Sequence, residues 1–389
     1  MVGCNGYSRC AVVESFNRVE ISLSALCFNY ALLKKRAPAT AVLAMIKADG
    51  YGHGMVECAQ ALTSADCFGV AETVEGIRLR NNGITQPILV LTGILPEVIP
   101  ALFLYRLTPV VVDTTWLPAL SAEARRQEQE IKIHLKIDIG MGRQGCTPQD
   151  AAEIIAAINS LPGLVLAGVL AHFPKADQPE SVSTPTIASA FCRVLDRLHS
   201  MLPQKNTVLH LANSGGTLYF PHTHHDMIRP GIALYGCYPD GIKGRKWAQK
   251  NGEREQLKPV MRFSSRVIQV RDIPTGTGLG YGHIFTTDRP TRIAIIPAGY
   301  DNGYLRSLSN KGLALIRGQR VPVVGRVSMN LTMFDITDIG EVCLGDEVVL
   351  LGCQGEEEIS ADEIAEWMGT INYEVLCLLG NLNDRVYLE

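Results

Sequence analysis

Short apolar runs alternate with longer amphipathic stretches between residues 41 and 229. The runs are rich in Val, Ile and Leu, which is typical of parallel strands covered on both faces. Eight runs fit this description: Ala41–Ile46, Cys67–Val70, Pro87–Leu91, Pro109–Val112, Ile131–Asp138, Leu164–His172, Thr207–Leu211 and Met227–Arg229. Helix candidates between them include Thr73–Asn81, Ala151–Ser160 and Thr186–Leu202. Eight such units in about 250 residues predict a (β/α)8 TIM barrel.

The pattern changes after the eighth run. The segment Tyr238–Lys258 is charged, rich in Gly and without an apolar period, which predicts a linker or an excursion from the domain. Closely spaced β runs follow, separated by Gly, Pro and Asn turns, and they predict a mostly antiparallel β domain. These runs are Val260–Val270, Arg292–Ile296, Gly312–Ile316, Val321–Arg326, Leu331–Ile336 and Glu347–Leu351. Ser360 and Glu363 form a capping-box pattern that predicts a helix over Ser360–Met368.

We therefore expect an α/β chain with a barrel domain over residues 1–250 and a C-terminal β domain over residues 251–389. An open doubly wound sheet is the alternative architecture. It is disfavoured because no GxGxxG motif follows the first strand.

Composition narrows the possible partners. The 389 residues carry a net charge of −3 without a long basic run, which argues against nucleic acid. No apolar run approaches the roughly 20 residues needed to span a membrane, and the N-terminus lacks a secretion-signal pattern. The 11 cysteines are scattered without metal-ligand spacing. We expect reduced thiols in a cytoplasmic protein, and we interpret His222, His224 and His225 as loop residues rather than metal ligands.

The segment Ala44–Gly54, with the sequence AMIKADGYGHG, carries the first candidate for chemistry. It places Lys47 at the C-terminal end of the first barrel strand, where barrel enzymes keep their catalytic groups. Its apolar neighbours predict partial desolvation, which lowers the pKa of an amine and allows it to hold an aldehyde as a Schiff base. A lysine that merely extends from a strand end is the alternative.

The whole motif closely resembles the cofactor-lysine signature of the alanine racemase family, and further motifs match in the same order over nearly the full chain. The resemblance implies a pyridoxal 5'-phosphate-dependent racemase in which Lys47 holds the cofactor. Tyr51 of the same motif is assigned to the cofactor site.

Further cofactor residues are implied by matches along the barrel. Arg143 matches an arginine that contacts the cofactor and the substrate carboxylate, and His172 matches a histidine that packs against the cofactor ring. Lys136 matches a lysine that is often carbamylated in the family. A carbamate would turn its repulsion with Arg143 into attraction, whereas an ordinary strand lysine would reach an acid such as Asp138. Both interpretations stay open.

The ends of the last two strands imply a phosphate site. Asn213 and Ser214 stand after the seventh strand, where barrels commonly bind phosphate. In the family, the backbone at Gly231 and Ile232 adds donors, and Arg229 faces the pyridine nitrogen. Arginine stays protonated there and disfavours a protonated ring nitrogen, which suits racemisation better than transamination.

The C-terminal domain matches the family in a second catalytic residue. Tyr281 corresponds to a tyrosine that faces the cofactor lysine from the partner subunit, which implies a homodimer with composite active sites. Racemisation needs two opposed acid–base groups, and we assign Lys47 to the D-face and Tyr281 to the L-face. Met329 corresponds to a backbone donor for the substrate carboxylate, and residues at the entrance correspond to Tyr300, Arg306 and Arg326.

Two departures from the family pattern are present. Asn330 stands where Asp is usual, and Asn381 is the nearest counterpart of a tyrosine that bonds the cofactor phosphate and crowds the substrate. The smaller Asn381 would admit serine beside alanine. Interconversion of L- and D-alanine is the expected activity, with a serine or broad-specificity racemase as the alternative. A decarboxylase of basic amino acids and a non-catalytic pyridoxal-phosphate carrier are the other candidates, disfavoured by Arg229 and by Tyr281 respectively.

Overall fold

The computed structural model describes residues 15–203, 207–251 and 255–389. It divides into two compact units that interleave along the chain. The barrel unit comprises Ile21–Met261, Ser360–Asn381 and Tyr387–Glu389, and the sheet unit comprises the described residues up to Glu20, Arg262–Ile359 and Leu382–Val386. The main crossing after Met261 lies near the boundary expected after residue 250. Short segments near both ends of the sequence also belong to the unit other than the one expected for them. The expected division into two consecutive domains does not contain these exchanges.

The strand β1 (Arg18–Ser22) precedes the barrel. The eight parallel strands that follow are β2 (Ala41–Met45), β3 (Cys67–Val70), β4 (Ile88–Val90), β5 (Thr108–Val111), β6 (Ile131–Lys136), β7 (Leu164–Leu170), β8 (Val208–His210) and β9 (Met227–Ile228). Their order is β8-β7-β6-β5-β4-β3-β2-β9. Backbone hydrogen bonds from Asp226 to Leu209 (3.0 Å) and from Arg229 to Ala212 (2.8 Å) connect the two ends. The barrel predicted from the apolar runs is confirmed.

The helices of the barrel unit are α1 (Leu23–Arg36), α2 (Lys47–Tyr51), α3 (Met55–Ala61), α4 (Thr73–Asn81), α5 (Ile99–Leu104), α6 (Leu117–Gln127), α7 (Ala151–Ser160), α8 (Ser183–Leu198), α9 (Ser214–Tyr219), α10 (Gly241–Lys250), α11 (Ala361–Met368) and α12 (Asn372–Asn381). The predicted capping box of Ser360 and Glu363 begins α11. No helix among the described residues combines the length and apolar character that crossing a membrane requires.

The linker prediction for Tyr238–Lys258 is wrong, because α10 lies within it. Two of its residues, Gly244 and Ala248, are buried, and the Trp247 ring packs edge-on against Tyr219 with centroids 4.8 Å apart. Tertiary packing therefore overrides the low helix propensity of the glycines. The small Gly244 is needed there, since a Cβ would lie 2.4 Å from the Tyr219 hydroxyl.

The sheet unit contains mainly antiparallel strands. Their bounds are β10 (Met261–Arg266), β11 (Gln269–Ile273), β12 (Gly278–Leu279), β13 (Phe285–Thr286), β14 (Thr291–Ile296), β15 (Leu313–Ile316), β16 (Gln319–Pro322), β17 (Thr332–Asp335), β18 (Glu347–Gln354), β19 (Glu357–Ile359) and β20 (Arg385–Leu388). The largest sheet has the order β16-β15-β18-β10-β1-β20, with β19 paired to β18, and a smaller one has the order β11-β14-β17. Apolar side chains of the smaller sheet, including Ile293 and Ile295, form a buried cluster with Val324. The predicted β domain is confirmed.

Candidate active site

A cavity of about 550 Å³ lies in the barrel unit. Its lining comes from segments that follow the carboxyl ends of the barrel strands and from α12. The lining residues are Met45, Lys47, Tyr51, Leu91, Thr92, Lys136, Arg143, Gln144, Leu170, His172, Asn213, Ser214, Arg229, Gly231, Ile232 and Tyr373. Four of these are Lys or Arg, and none of the described residues in the lining is Asp or Glu. The cavity is therefore suited to an anionic ligand.

Lys47 is held at the start of an unusual turn. The residues after it, Ala48, Asp49, Gly50 and Tyr51, have φ values of 54°, 50°, 66° and 53°. Only Gly50 adopts this left-handed region without steric cost, whereas each other residue costs about 1–2 kcal/mol. Backbone strain of this kind persists where surrounding contacts fix it, and it clusters at functional sites.

The pKa of Lys47 is lowered from its ordinary value. Burial is the main cause, and the positive charge of Arg143 acts in the same direction. The negative charge of Glu75 and the thiol of Cys377 act in the opposite direction. The net effect increases the fraction of neutral amine, which is the form that attacks a carbonyl carbon.

Lys136, at the end of β6, is buried beside other cations. Its Nζ donates to Oε1 of Gln144 at 2.9 Å, and Nε2 of Gln144 donates to the carbonyl of Thr92 at 2.7 Å. Burial, followed by the charges of Arg143 and Arg229, lowers the pKa of Lys136 to about 8. Arg143 itself lies in the exposed loop after β6, so its guanidinium has room to meet an incoming carboxylate.

Arg229 is buried and supported from several sides. Its Nη2 donates to the carbonyls of Ala171 (2.7 Å) and Leu211 (3.1 Å), and it lies 3.4 Å from Nδ1 of His172. Burial lowers the pKa of Arg229 to about 10, so the guanidinium remains charged at neutral pH. Burial and the charge of Arg229 lower the pKa of His172 to about 3, which keeps this ring neutral.

Two buried histidines continue this network, and the sequence analysis did not find their role. Arg229 Nη1 donates to Nδ1 of His210 at 3.1 Å, so the proton of His210 must be on Nε2. That nitrogen lies 2.8 Å from Nδ1 of His134 and donates to it. Burial and Arg229 lower the pKa of His134 to about 4. Strand alternation could have found His134, which is two residues before Lys136 and therefore on the same face of β6.

The predicted phosphate residues come together after β8 and β9. Oγ of Ser214 accepts hydrogen bonds from the backbone N–H groups of Gly231 (2.8 Å) and Ala233 (3.3 Å). The Gly231 N–H, expected to face phosphate, is therefore engaged by Ser214. A hydroxyl has two lone pairs and one proton, so the O–H of Ser214 remains a donor for another acceptor. Oδ1 of Asn213 caps α9 by accepting from Gly216 at 2.9 Å.

The role expected of Asn381 stays a prediction, and its place in the structure differs from that of Tyr373. Asn381 is exposed at the end of α12 and does not line the cavity. Tyr373, one residue into the same helix, lines it and packs against Tyr51 with ring centroids 6.1 Å apart. The cavity therefore contains an aromatic side chain from α12. The segment Asn372-Tyr373-Glu374 matches the family pattern, and this match is the signal that could have found Tyr373.

The candidates in the sheet unit are on its surface. Tyr281 begins a 3-10 turn, Tyr281–His283, between β12 and β13, and its side chain is 71% exposed. Met329 is 55% exposed and Tyr300 is 37% exposed. Arg306 is exposed and Arg326 is half-buried. The side chain of Asn330 donates to Asp301 at 3.2 Å.

The site therefore defines a class of protein: a parallel barrel whose cavity contains a desolvated lysine and several further cations. Such a cavity is suited to a ligand that carries both a carbonyl group and negative charge. Comparison with known families is more specific. Residues 21–239 match the model of the alanine racemase N-terminal domain, and residues 260–387 match that of the C-terminal domain. The chain belongs to the alanine racemase family.

Individual relatives resemble the chain over nearly its whole length. Alanine racemase of Syntrophobacter fumaroxidans is 40% identical over 365 residues, which are 93% of this chain and 95% of the relative. The crystal structure of alanine racemase from a D-cycloserine-producing Streptomyces lavendulae has a TM-score of 0.89 at 32% identity, covering 97% of this chain and 98% of that chain. Alanine racemase from Bartonella henselae, with covalently bound pyridoxal phosphate, has a TM-score of 0.85 at 27% identity, covering 96% of this chain and 100% of that chain.

Proposed function

We propose that this protein interconverts L-alanine and D-alanine with pyridoxal 5'-phosphate as its cofactor. The observation that carries the proposal is the cavity in which Lys47 lies with Lys136, Arg143 and Arg229, with no carboxylate among its described lining residues. An amine with a lowered pKa suits an aldehyde, and the surrounding cations suit a phosphate and a carboxylate. Membership of the alanine racemase family supports the same conclusion.

The donor set fits this cofactor. Lys47 would hold its aldehyde, and Tyr51 and His172 would lie beside its ring. Both lone pairs of the Ser214 hydroxyl accept backbone N–H groups, so the hydroxyl can only donate its proton. A phosphate oxygen is a suitable acceptor for that proton. The N–H of Ile232 adds to these donors, because the first residue of a helical turn has no partner within it. Arg229 would supply a fixed positive charge to the ring nitrogen.

The chemistry that pyridoxal phosphate supplies when bound is withdrawal of electrons from Cα of the amino acid, which makes its proton removable. Arg143 would hold the substrate carboxylate, with the backbone N–H of Met329 as a further donor. Lys47 Nζ would move the proton on the D-face, and the phenolic oxygen of Tyr281 of the partner subunit would move it on the L-face. Tyr300, Arg306 and Arg326 would form the entrance.

A homodimer with composite sites is part of the proposal. Tyr281 is 71% exposed and is not among the residues that line the cavity, which supports a role for it in the cavity of a second copy. A second copy would supply both the missing face and the shielding from water that proton transfer requires. Cytoplasmic location is also proposed, because the cysteines are scattered along the sequence without metal-ligand spacing, a pattern typical of reduced thiols.

Lys136 is proposed to carry a carbamate. An amine must be neutral to react with carbon dioxide, and burial beside Arg143 and Arg229 lowers the pKa of Lys136 to about 8. The product would be an anion facing those two cations, so the modification removes repulsion and adds attraction. The side chain of Gln144, whose Oε1 accepts from Nζ of Lys136, lies next to the amine that would be modified.

The decisive experiment is to incubate purified protein with L-alanine and to measure D-alanine by chiral chromatography. Borohydride treatment should fix the cofactor to the peptide that contains Lys47. Labelling of another lysine would refute the assignment of Lys47. Cofactor binding without formation of D-alanine would identify a carrier, and release of carbon dioxide would identify a decarboxylase. The serine activity expected from Asn381 stays a prediction, and Tyr373, which lines the cavity, is a second residue that would limit the size of the substrate side chain.

A further inference from the structure

The left-handed turn of α2 requires contacts that fix it. Its residues Ala48, Asp49 and Tyr51 carry side chains in a backbone region that disfavours them. One set of contacts is local to Asp49: its Oδ1 accepts from the backbone N–H of Met55 at 3.1 Å and pairs with Arg78 at 3.0 Å. These contacts hold the turn at Asp49 and connect it forward to Met55, and neither of them involves the peptide that directly follows Lys47.

A different residue holds the beginning of the turn. Oε1 of Glu75, in α4, accepts from the backbone N–H of Ala48 at 2.7 Å. Its Oε2 accepts from the N–H groups of Ala71 (2.6 Å) and Glu72 (3.2 Å). One carboxylate therefore ties the peptide that follows Lys47 to the loop after the neighbouring strand β3. Carboxylate–amide hydrogen bonds are stronger than neutral ones, so the connection is a firm one.

Glu75 is also the acidic side chain that acts on Lys47 electrostatically. The groups that face Lys47 from the packed elements are Arg143 and Lys136 of β6 and its loop, His172 after β7, Cys377 of α12 and Glu75 of α4. Burial and Arg143 lower the pKa of Lys47, whereas Glu75 raises it. Glu75 does not line the cavity, so it can act on the amine without meeting the ligand.

We propose that Glu75 is a positioning residue for Lys47, which fixes the start of the strained turn through Ala48 and balances the cations around the amine. The inference rests on the proposed role of Lys47. The simpler role would be capping alone, because Glu75 also completes a capping box with Glu72 at the beginning of α4. A positioning residue would change the pKa of Lys47 and the hydrogen bond of the Ala48 N–H when it is substituted, whereas a capping residue alone would change neither.

The test compares Glu75→Gln with Glu72→Gln, which alters the exposed capping partner on the same helix end without touching Ala48. The full-length chain is treated with hydroxylamine to release bound aldehyde and is then acetylated over a pH series. Mass spectrometry measures labelling of Lys47 relative to the exposed Lys311. Glu75→Gln should lower the labelling midpoint of Lys47 by about one pH unit, because an opposite charge is lost. Glu72→Gln should leave the midpoint unchanged.

An unchanged or raised midpoint in Glu75→Gln would overturn the proposal. Glu75→Asp provides a second test should the glutamine variant fail to fold, since it keeps the charge and shortens the side chain. It should increase hydrogen exchange of the amides from Ala48 to Gly52, and native-like exchange there would also overturn the proposal. Because both measurements follow the chain without ligand, they are independent of whether Lys47 holds the proposed cofactor. That role is tested separately by borohydride labelling.

Discussion

The cavity around Lys47 and the turn that carries Tyr281 differ in how much each chain provides. Lys47 is surrounded by charged groups whose positions are fixed by buried hydrogen bonds, from Arg229 through His210 to His134. Tyr281 begins a short turn between two-residue strands and is 71% exposed. One chain therefore surrounds the amine with charged groups and leaves the phenol exposed. The proposed homodimer predicts this difference, because a second copy would cover the phenol.

The largest expected effect comes from breaking either half of the proposed pair. Lys47→Ala should lower racemase activity by at least about 10³-fold and Tyr281→Phe by about 10²–10⁴-fold, since each removes an acid–base group. Mixing the two inactive proteins should restore about a quarter of native activity, because half of randomly exchanged dimers have one intact site. The measurement is D-alanine formation after exchange is verified by mass spectrometry. No recovery after exchange, or full activity in a monomer, would contradict composite sites.

A substitution of Lys136 tests whether the cavity, which is rich in cations, requires the negative charge of the proposed carbamate. Lys136→Ala should reduce kcat/KM about tenfold, because the proposed carbamate no longer holds Arg143. Native protein in ¹³C-bicarbonate should show a carbamate carbon signal that the variant lacks. Lys132→Ala is the matched control, since Lys132 is an exposed lysine on the same strand. Identical spectra for the native protein and Lys136→Ala would rule out the modification.

The buried histidines predict a loss of stability in acid. The pKa of His134 falls from 6.5 to about 4 on burial, so the unfolded state binds its proton first as the pH drops. The free energy of unfolding should therefore decrease between pH 6.5 and about 4. His134→Gln, which can still accept from His210, should make this slope shallower by about 1 kcal/mol per pH unit. Urea unfolding at several pH values measures it, with the exposed His222→Gln as control. An equal slope in His134→Gln and native protein would show that His134 is not responsible.

The smallest effect is expected at Asn381. Asn381→Tyr should leave the serine-to-alanine ratio of kcat/KM unchanged within about twofold, because Asn381 is exposed and does not line the cavity. The same ratio is measured in Tyr373→Phe for comparison, because Tyr373 does line the cavity. A changed ratio in Asn381→Tyr would support Asn381 as the counterpart of the family tyrosine. It would also contradict the placement of this residue outside the cavity.

The barrel was predictable because its strands are continuous apolar runs. The helices α4 and α7 match the predicted ranges Thr73–Asn81 and Ala151–Ser160 residue for residue. The helix α10 was missed, because burial of Gly244 and Ala248 depends on partners such as Tyr219 that a local pattern does not contain. The strand β1 was also missed, since it pairs with β10 and β20, which are remote along the chain.

The lining of the site was predictable where a motif carried it. Lys47, Arg143, Ser214 and Arg229 all reach the same cavity, as their strand-end positions indicated. Tyr373 was missed because it arrives on a helix outside the βα repeat. His210 and His134 were missed because a histidine within a strand acquires its role only from the neighbours that bury it. The catalytic roles of these residues remain predictions.

The interleaving of the two units has a consequence during synthesis. The barrel unit includes Ser360–Asn381, which leaves the ribosome after nearly the whole sheet unit. About 110 residues are therefore translated between Met261, where the first segment of the barrel unit ends, and Tyr373, which takes about 5–20 seconds at typical elongation rates. For that interval the nascent barrel holds Lys47 and its cations without one wall of the cavity. The order of translation thus delays a complete ligand site until the segment that carries Tyr373 has been made.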